Sequence, residues 1–96
     1  MAGNPKLHAL AALAAGGAIR AAELGLGGEP AFAVVRPPGH HASRTAGWGY
    51  CVYSNVALAL LKLRASGAIS SALVVDIDAH TGDGTIDVLS GWPAAR

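Results

Sequence analysis

The sequence predicts an α/β domain in the order helix, strand, helix, strand and short helix, with parallel strands and helices flanking the sheet. Three observations carry this prediction. Two short runs, at 31–36 and 72–78, are almost continuously apolar, as strands are when a sheet is covered on both faces. A helix candidate, Asn55-Val56-Ala57-Leu58-Ala59-Leu60-Leu61-Lys62-Leu63-Arg64, lies between them, and parallel strands need such a crossover. Both runs end in clusters of polar residues, and ligands of open α/β sheets bind outside the carboxyl ends of the strands.

Taken in order, Asn4 at the N-cap and Pro5 at the first helical position open the first helix. Its apolar positions include Leu7, Leu10, Leu13 and Leu24, and it ends at Gly25, where Gly27, Gly28 and Pro30 turn the chain. The face opposite the leucines is mostly alanine and glycine, so packing on more than one side is expected. Gly16-Gly17 marks a break or a close backbone contact. After the first strand, Pro37 and Pro38 cannot continue a central strand because they lack the ladder donor. The loop 37–50 carries His40 and His41, and loops of that length inside a compact domain are more often functional than idle. The crossover helix starts near Ser54 or Asn55 and ends by Gly67. Beyond the second strand, Thr85 is placed as the cap of a short helix through Leu89, which Gly91 and Pro93 stop. Two parallel strands leave both outer edges unpaired and enclose little core. The chain therefore reads as part of a larger sheet that either self-associates through an edge or is a truncated product.

Composition narrows the function classes. Ninety-six residues form one small domain, 1–96, and 52% hydrophobic against 14% charged residues implies surfaces meant to be covered. A net charge of +1 gives no basic footprint for nucleic acid or an anionic membrane. The single cysteine, Cys51, excludes an internal disulfide framework and fits a reducing compartment. Lys6, His8 and Gly16-Gly17 interrupt the alanine-rich N-terminus, which reads as no signal peptide. No uninterrupted apolar stretch approaches membrane-spanning length, so a soluble, cytoplasmic protein is expected.

The second run closes in Asp76-Ile77-Asp78-Ala79-His80. Alternate side chains of an extended strand share a face, so Asp76, Asp78 and His80 would project together. Two carboxylates and an imidazole there carry a large desolvation cost unless a cation or hydrogen-bonding partners compensate. Asp78 and His80 are ordinary zinc ligands and supply two of the three that a catalytic site uses. Asp76 and Asp83 could orient His40 and His41 through one ring nitrogen each. Such a set suits metal-assisted hydrolysis, in which zinc polarises a carbonyl and acidifies a water while a histidine removes and returns a proton. Plainer readings stand beside this one. Asp76 and Asp78 could cap the next turn, and Asp83 between two glycines is a good turn residue on any fold. Cys51 is a small buried residue or, with a histidine, a nucleophile. Trp48 and Trp92 read as packing or interface residues, His8 as surface, and Asp87 as a substitute third ligand.

Arg36-Pro37-Pro38-Gly39-His40-His41-Ala42, then Gly49-Tyr50-Cys51 leading to Asn55-Val56-Ala57, then Asp76-Ile77-Asp78-Ala79-His80 with Gly82-Asp83-Gly84-Thr85, resembles the histone deacetylase superfamily. That group includes acetylpolyamine amidohydrolases and acetoin-utilisation proteins. The similarity runs from about Gly16 to Leu89, with Thr81 where many relatives have a second histidine. The resemblance implies a fragment of the arginase/deacetylase-like parallel sheet and hydrolysis of acetyl-lysine or acetylpolyamine-like amides. By position, Asp78 and His80 would ligate zinc, and His40 and His41 would be the tandem catalytic histidines, His41 the general base and acid. Asp76 would support His40 and help hold a structural monovalent cation, K+ or Na+, while Asp83 would pair with His41. Gly49 and Tyr50 would line the acyl-lysine tunnel. The family's third zinc ligand, an aspartate, and its carbonyl-polarising tyrosine have no matching position in 1–96. The expected partners are therefore an acetylated small molecule or peptide and a second chain, in a homo-oligomer or as a complementing chain. A non-catalytic remnant or assembly module of the same fold and a Cys-His hydrolase are the alternatives.

Overall fold

The computed structural model describes residues 5–96, so Asn4, the expected N-cap, lies outside the described residues. Among these described residues three helices form, α1 at Pro5–Leu26, α2 at Asn55–Ala65 and α3 at Asp83–Leu89.

Helix α1 runs unbroken through Gly16-Gly17 and packs on α2. It does so through Ala11, Ala14 and Ala15, which are buried, while Leu10 and Leu13 stay more than half exposed. These alanines follow helical spacing and let two backbones approach closely, so of the two faces expected to pack it is the small one that meets α2. Packing on several sides is not seen among the described residues. The glycine pair marks a close contact rather than a break, because a Cβ on Gly17 would lie 2.8 Å from Val35 Cγ1. Contrary to the sequence expectation, residues 6–26 are long and apolar enough to cross a membrane by length and composition. Within the fold the alanine stripe is used against α2 and Glu23 reaches Lys62 at 3.9 Å, while Leu10 and Leu13 stay open.

Helix α2 begins and ends as expected and buries Asn55, Ala57, Ala59 and Leu63. Ala57 joins Leu89 and Trp92 in the core, with Leu60, Leu61, Ile69, Val74 and Val88 packed around them. Arg64 lies over the Trp92 ring at 4.9 Å. Trp92 is thus a packing residue, as its sequence context suggests. Helix α3 starts three residues earlier than expected: Gly82 is its N-cap and Thr85 lies buried inside it.

The sheet departs most from expectation. Segments 31–36 and 72–78 exchange no backbone hydrogen bonds among the described residues, and no strand ladder forms there. Instead residues 72–74 pair with 94–96. Ala72 N–H donates to Ala94 C=O at 3.1 Å and Arg96 N–H to Ala72 C=O at 2.8 Å, Val74 N–H also reaches Arg96 C=O, and the Ala72–Ala95 bridge is parallel. The parallel direction holds, but the crossover is α3 rather than α2. Pro93-Ala94-Ala95-Arg96 carries no apolar run, which is why nothing in it signals a strand. With 31–36 and 75–78 outside that pairing, apolar side chains on both stay open, Phe32 at 90% and Ile77 at 94% exposure.

These burials set two mutational outcomes. Leu89→Ala should lower the unfolding free energy by about 2–4 kcal/mol, whereas Leu73→Ser, on the open segment, should change it by less than about 0.5 kcal/mol; urea denaturation of the chain measures both.

Candidate active site

His40 and His41 are the two corner residues of a turn closed by Ala42 N–H donating to Gly39 C=O at 3.1 Å. Helix α3 docks on that turn. Its first amide groups have no intrahelical acceptor and no side-chain cap, and Gly84 and Thr85 N–H donate to His40 C=O at 2.9 and 3.3 Å. The approach is so close that a Cβ on Gly84 would strike the backbone of Ala42. One turn further on, Asp87 accepts Arg44 N–H at 3.0 Å. The Asp87 carboxylate therefore anchors the histidine loop, and the third-ligand reading of Asp87 is corrected.

The turn and the Asp76-to-Asp83 segment meet as two imidazole–carboxylate pairs. His40 Nδ1 lies 2.8 Å from Asp76 Oδ2, and His41 Nδ1 lies 2.5 Å from Asp83 Oδ1. The two rings are 4.1 Å apart, and the His80 ring is 6.2 Å from that of His41. Asp78 Oδ1 is 3.8 Å from His40 Nε2. The acidic segment achieves this by turning rather than by strand alternation. Asp76 Oδ1 accepts Asp78 N–H at 3.0 Å and Asp78 Oδ1 accepts His80 N–H at 2.7 Å, two successive Asx turns. Hydrogen bonds to the charged form depress carboxyl pKa values. The backbone N–H of Asp78, and then the His40 ring, hold Asp76 below its ordinary value. The backbone N–H of His80 does the same for Asp78, and the His41 ring, aided by Trp48, for Asp83.

Asp78 Oδ1 and His80 Nδ1 are 3.2 Å apart. That matches the roughly 3.3 Å edge of a tetrahedron with metal–ligand bonds of about 2.0 Å. Donor type and spacing thus fit two corners of a zinc shell. Among the described residues no set of three His, Cys, Asp or Glu side chains is gathered so as to enclose a metal.

An open cavity lies over this rim, lined by Pro38, His40, His41, Tyr50, Asp78 and His80. Gly49 and Tyr50 occupy the corners of a second turn, closed by Cys51 N–H donating to Trp48 C=O at 2.9 Å. Both are left-handed, at φ 57° and 68°. Gly49 is required on steric grounds as well, since a Cβ there would strike the His41 ring. Tyr50 holds a conformation that costs a non-glycine residue about 1–2 kcal/mol, and its side chain projects at the cavity edge, 89% exposed. Cys51 is fully buried, and its sulfur accepts the backbone N–H of His41 at 3.4 Å. Among the described residues no hydrogen bond joins that sulfur to an imidazole, so a Cys-His nucleophile is not assembled. His8 is a surface residue, tied to the Tyr53 hydroxyl at 3.0 Å.

Trp48 is the residue that sequence reasoning misses. Its ring lies 4.3 Å from that of His41, and its Nε1–H donates to Asp83 Oδ2 at 2.9 Å. Adjacency to Gly49-Tyr50 is the only sequence signal for it, because nothing local links positions 48 and 83.

The histone deacetylase domain family matches residues 1–94. A probable deacetylase of Archaeoglobus fulgidus is 48% identical over 80 residues, covering 81% of this chain and 22% of that protein. Histone deacetylase 8 of Arabidopsis thaliana is 46% identical over 86 residues, covering 88% and 23%. Polyamine deacetylase HDAC10 of Rattus norvegicus is 41% identical over 83 residues, covering 84% and 14%. The crystal structure of the HDA15 HD domain superposes with a TM-score of 0.82 at 38% identity, over 90% of this chain and 25% of that one. The chain thus spans about a quarter or less of the length of these relatives.

Two outcomes follow from the docking and the depressed carboxyls. Gly84→Ala should destabilise the chain by about 1–3 kcal/mol, read by chemical denaturation, because the added methyl meets backbone and not a movable side chain. Asp76, Asp78 and Asp83 have folded-state pKa values below the ordinary 3.8. Their contribution is complete above that value and is lost as pH falls through the lowered ones. Acid titration by circular dichroism should show unfolding begin below about pH 4, with a shallower acid limb in Asp76→Asn.

Proposed function

The chain belongs to the histone deacetylase family, and on that footing we propose that it forms part of a zinc-dependent amidohydrolase that removes acetyl groups from acetyl-lysine or acetylpolyamine-like amides. The observation that carries this reading is the pair of contacts His40–Asp76 and His41–Asp83 at one rim beside Asp78 and His80. The relatives named as histone and polyamine deacetylases support the reaction class and bracket the substrate class.

Zinc, held by Asp78, His80 and a third ligand beyond the described residues, would supply a Lewis acid for the amide carbonyl and a water of lowered pKa. The chain's own residues handle the proton. Ionised Asp83 can only accept, so His41 carries its proton on Nδ1 and presents Nε2 as a base. His41 Nε2 takes the proton of the attacking water and returns it to the leaving amine, and Asp83 stabilises the imidazolium in between. Asp76 fixes the His40 ring through one oxygen while the backbone of Asp78 holds its other oxygen. Gly49 and Tyr50 form a wall along which the acyl chain would enter. A monovalent cation beside Asp76, a complementing chain or second copy that supplies the remaining groups, and a cytoplasmic setting that keeps Cys51 reduced belong to the same proposal.

Zinc analysis of the purified chain, alone and with its complementing part, together with turnover of an acetyl-lysine peptide with and without chelator, tests it. Zinc and chelator-sensitive turnover are expected. His80→Ala should weaken zinc binding by more than the about 10–100-fold lost with outer-shell partners, whereas His41→Ala should keep zinc and lose turnover. Metal binding without turnover in the completed assembly would favour a non-catalytic module. Activity that survives chelation and disappears in Cys51→Ser would restore the cysteine reading.

A further inference from the structure

Trp48 touches both members of the His41–Asp83 pair at once. Its indole N–H donates to Asp83 Oδ2 at 2.9 Å, and its ring lies 4.3 Å from the His41 ring at an interplanar angle of 33°. The Asp83 carboxylate is therefore held at both oxygens, Oδ1 by His41 Nδ1 and Oδ2 by the indole. A carboxylate fixed at one oxygen alone can rotate about its Cβ–Cγ bond, and the Asp83 side chain is 47% exposed, with room to do so. No other side chain among the described residues donates to Oδ2. Trp48 is itself anchored from behind, since its carbonyl closes the turn onto Cys51 and the buried Cys51 sulfur accepts the His41 backbone N–H. Indole, imidazole and carboxylate are in this way fixed to one another from both sides.

We propose that Trp48 is a positioning residue for proton transfer: its indole N–H locks the Asp83 carboxylate so that Oδ1 faces His41 Nδ1, which keeps His41 Nε2 directed at the cavity. The catalytic consequence rests on the deacetylase reading, while the contact itself stands on geometry. An indole meets both requirements, a flat face for the imidazole and a donor at its edge. Phenylalanine would keep only the face.

A cycle of Trp48→Phe and Asp83→Asn in the completed protein tests this, read by the proton–nitrogen NMR resonance of the Trp48 indole and by hydrolysis of an acetyl-lysine peptide. Asp83→Asn should move the Trp48 indole resonance and leave that of Trp92 in place. Trp48→Phe should lower kcat about tenfold to a hundredfold, the loss of one hydrogen bond to a charged group, with KM changed by less than about twofold. The double variant should be no slower than Asp83→Asn alone. A Trp48→Phe protein with wild-type kcat, or an indole resonance indifferent to Asp83→Asn, overturns the proposal. If the wild-type protein hydrolyses no acetyl-lysine, the functional reading fails by itself. The resonance then decides, a moved signal supporting the locked carboxylate and an unmoved one overturning it.

Discussion

A single carbonyl oxygen, that of His40, organises the rim. It receives the amide protons of Gly84 and Thr85, so the first turn of α3 is capped by a loop more than forty residues upstream rather than by its own neighbours. Unsatisfied amides at a helix start need an acceptor, and meeting that need here fixes where the tandem histidines sit relative to Asp83. The glycine at position 84 is a condition of the contact, because any side chain would separate helix and loop. Asp87, binding the backbone of Arg44, repeats the tether one turn along and makes it a two-point attachment.

Within that frame Asp76 and Asp83 each use both oxygens. Asp76 binds a backbone amide with one and His40 with the other, and Asp83 binds His41 with one and the Trp48 indole with the other. A group held at two points keeps its orientation without support from a bound ion, so the outer partners of the site are set by the polypeptide itself. Asp78 and His80, the two residues proposed to meet a metal, share restraints confined to a single local turn.

The parts legible in the sequence were those written in short-range signals. Helix α2 was readable from its composition and its boundaries from Asn55 and Gly67, and the convergence of His40, His41, Asp76, Asp78, His80 and Asp83 from the motifs that follow each apolar run. What could not be read depends on contacts between remote segments. The partner of 72–74 is a short stretch after Pro93 with no strand character of its own, and only tertiary pairing reveals it. Packing of α1 on more than one side was the expectation, and the face it lays on α2 is the alanine one, since a close helix contact favours small residues over the leucines that hydropathy singles out. Strand periodicity and successive Asx turns both bring the side chains of Asp76, Asp78 and His80 together, so the spacing alone could not distinguish them. Trp48 lay outside the motif vocabulary altogether.

The parallel contact between Ala72 and Ala95 has a consequence for how the molecule assembles itself. Its closing segment is only about twenty residues long and contains α3, so the entropy lost in joining its ends is small beside that of bringing in the N-terminal third of the chain. Contacts of short sequence separation form early, and longer ones wait until enough native surface exists to reward them. The acidic half of the rim would then be in place first, a ready template onto which the histidine loop condenses last.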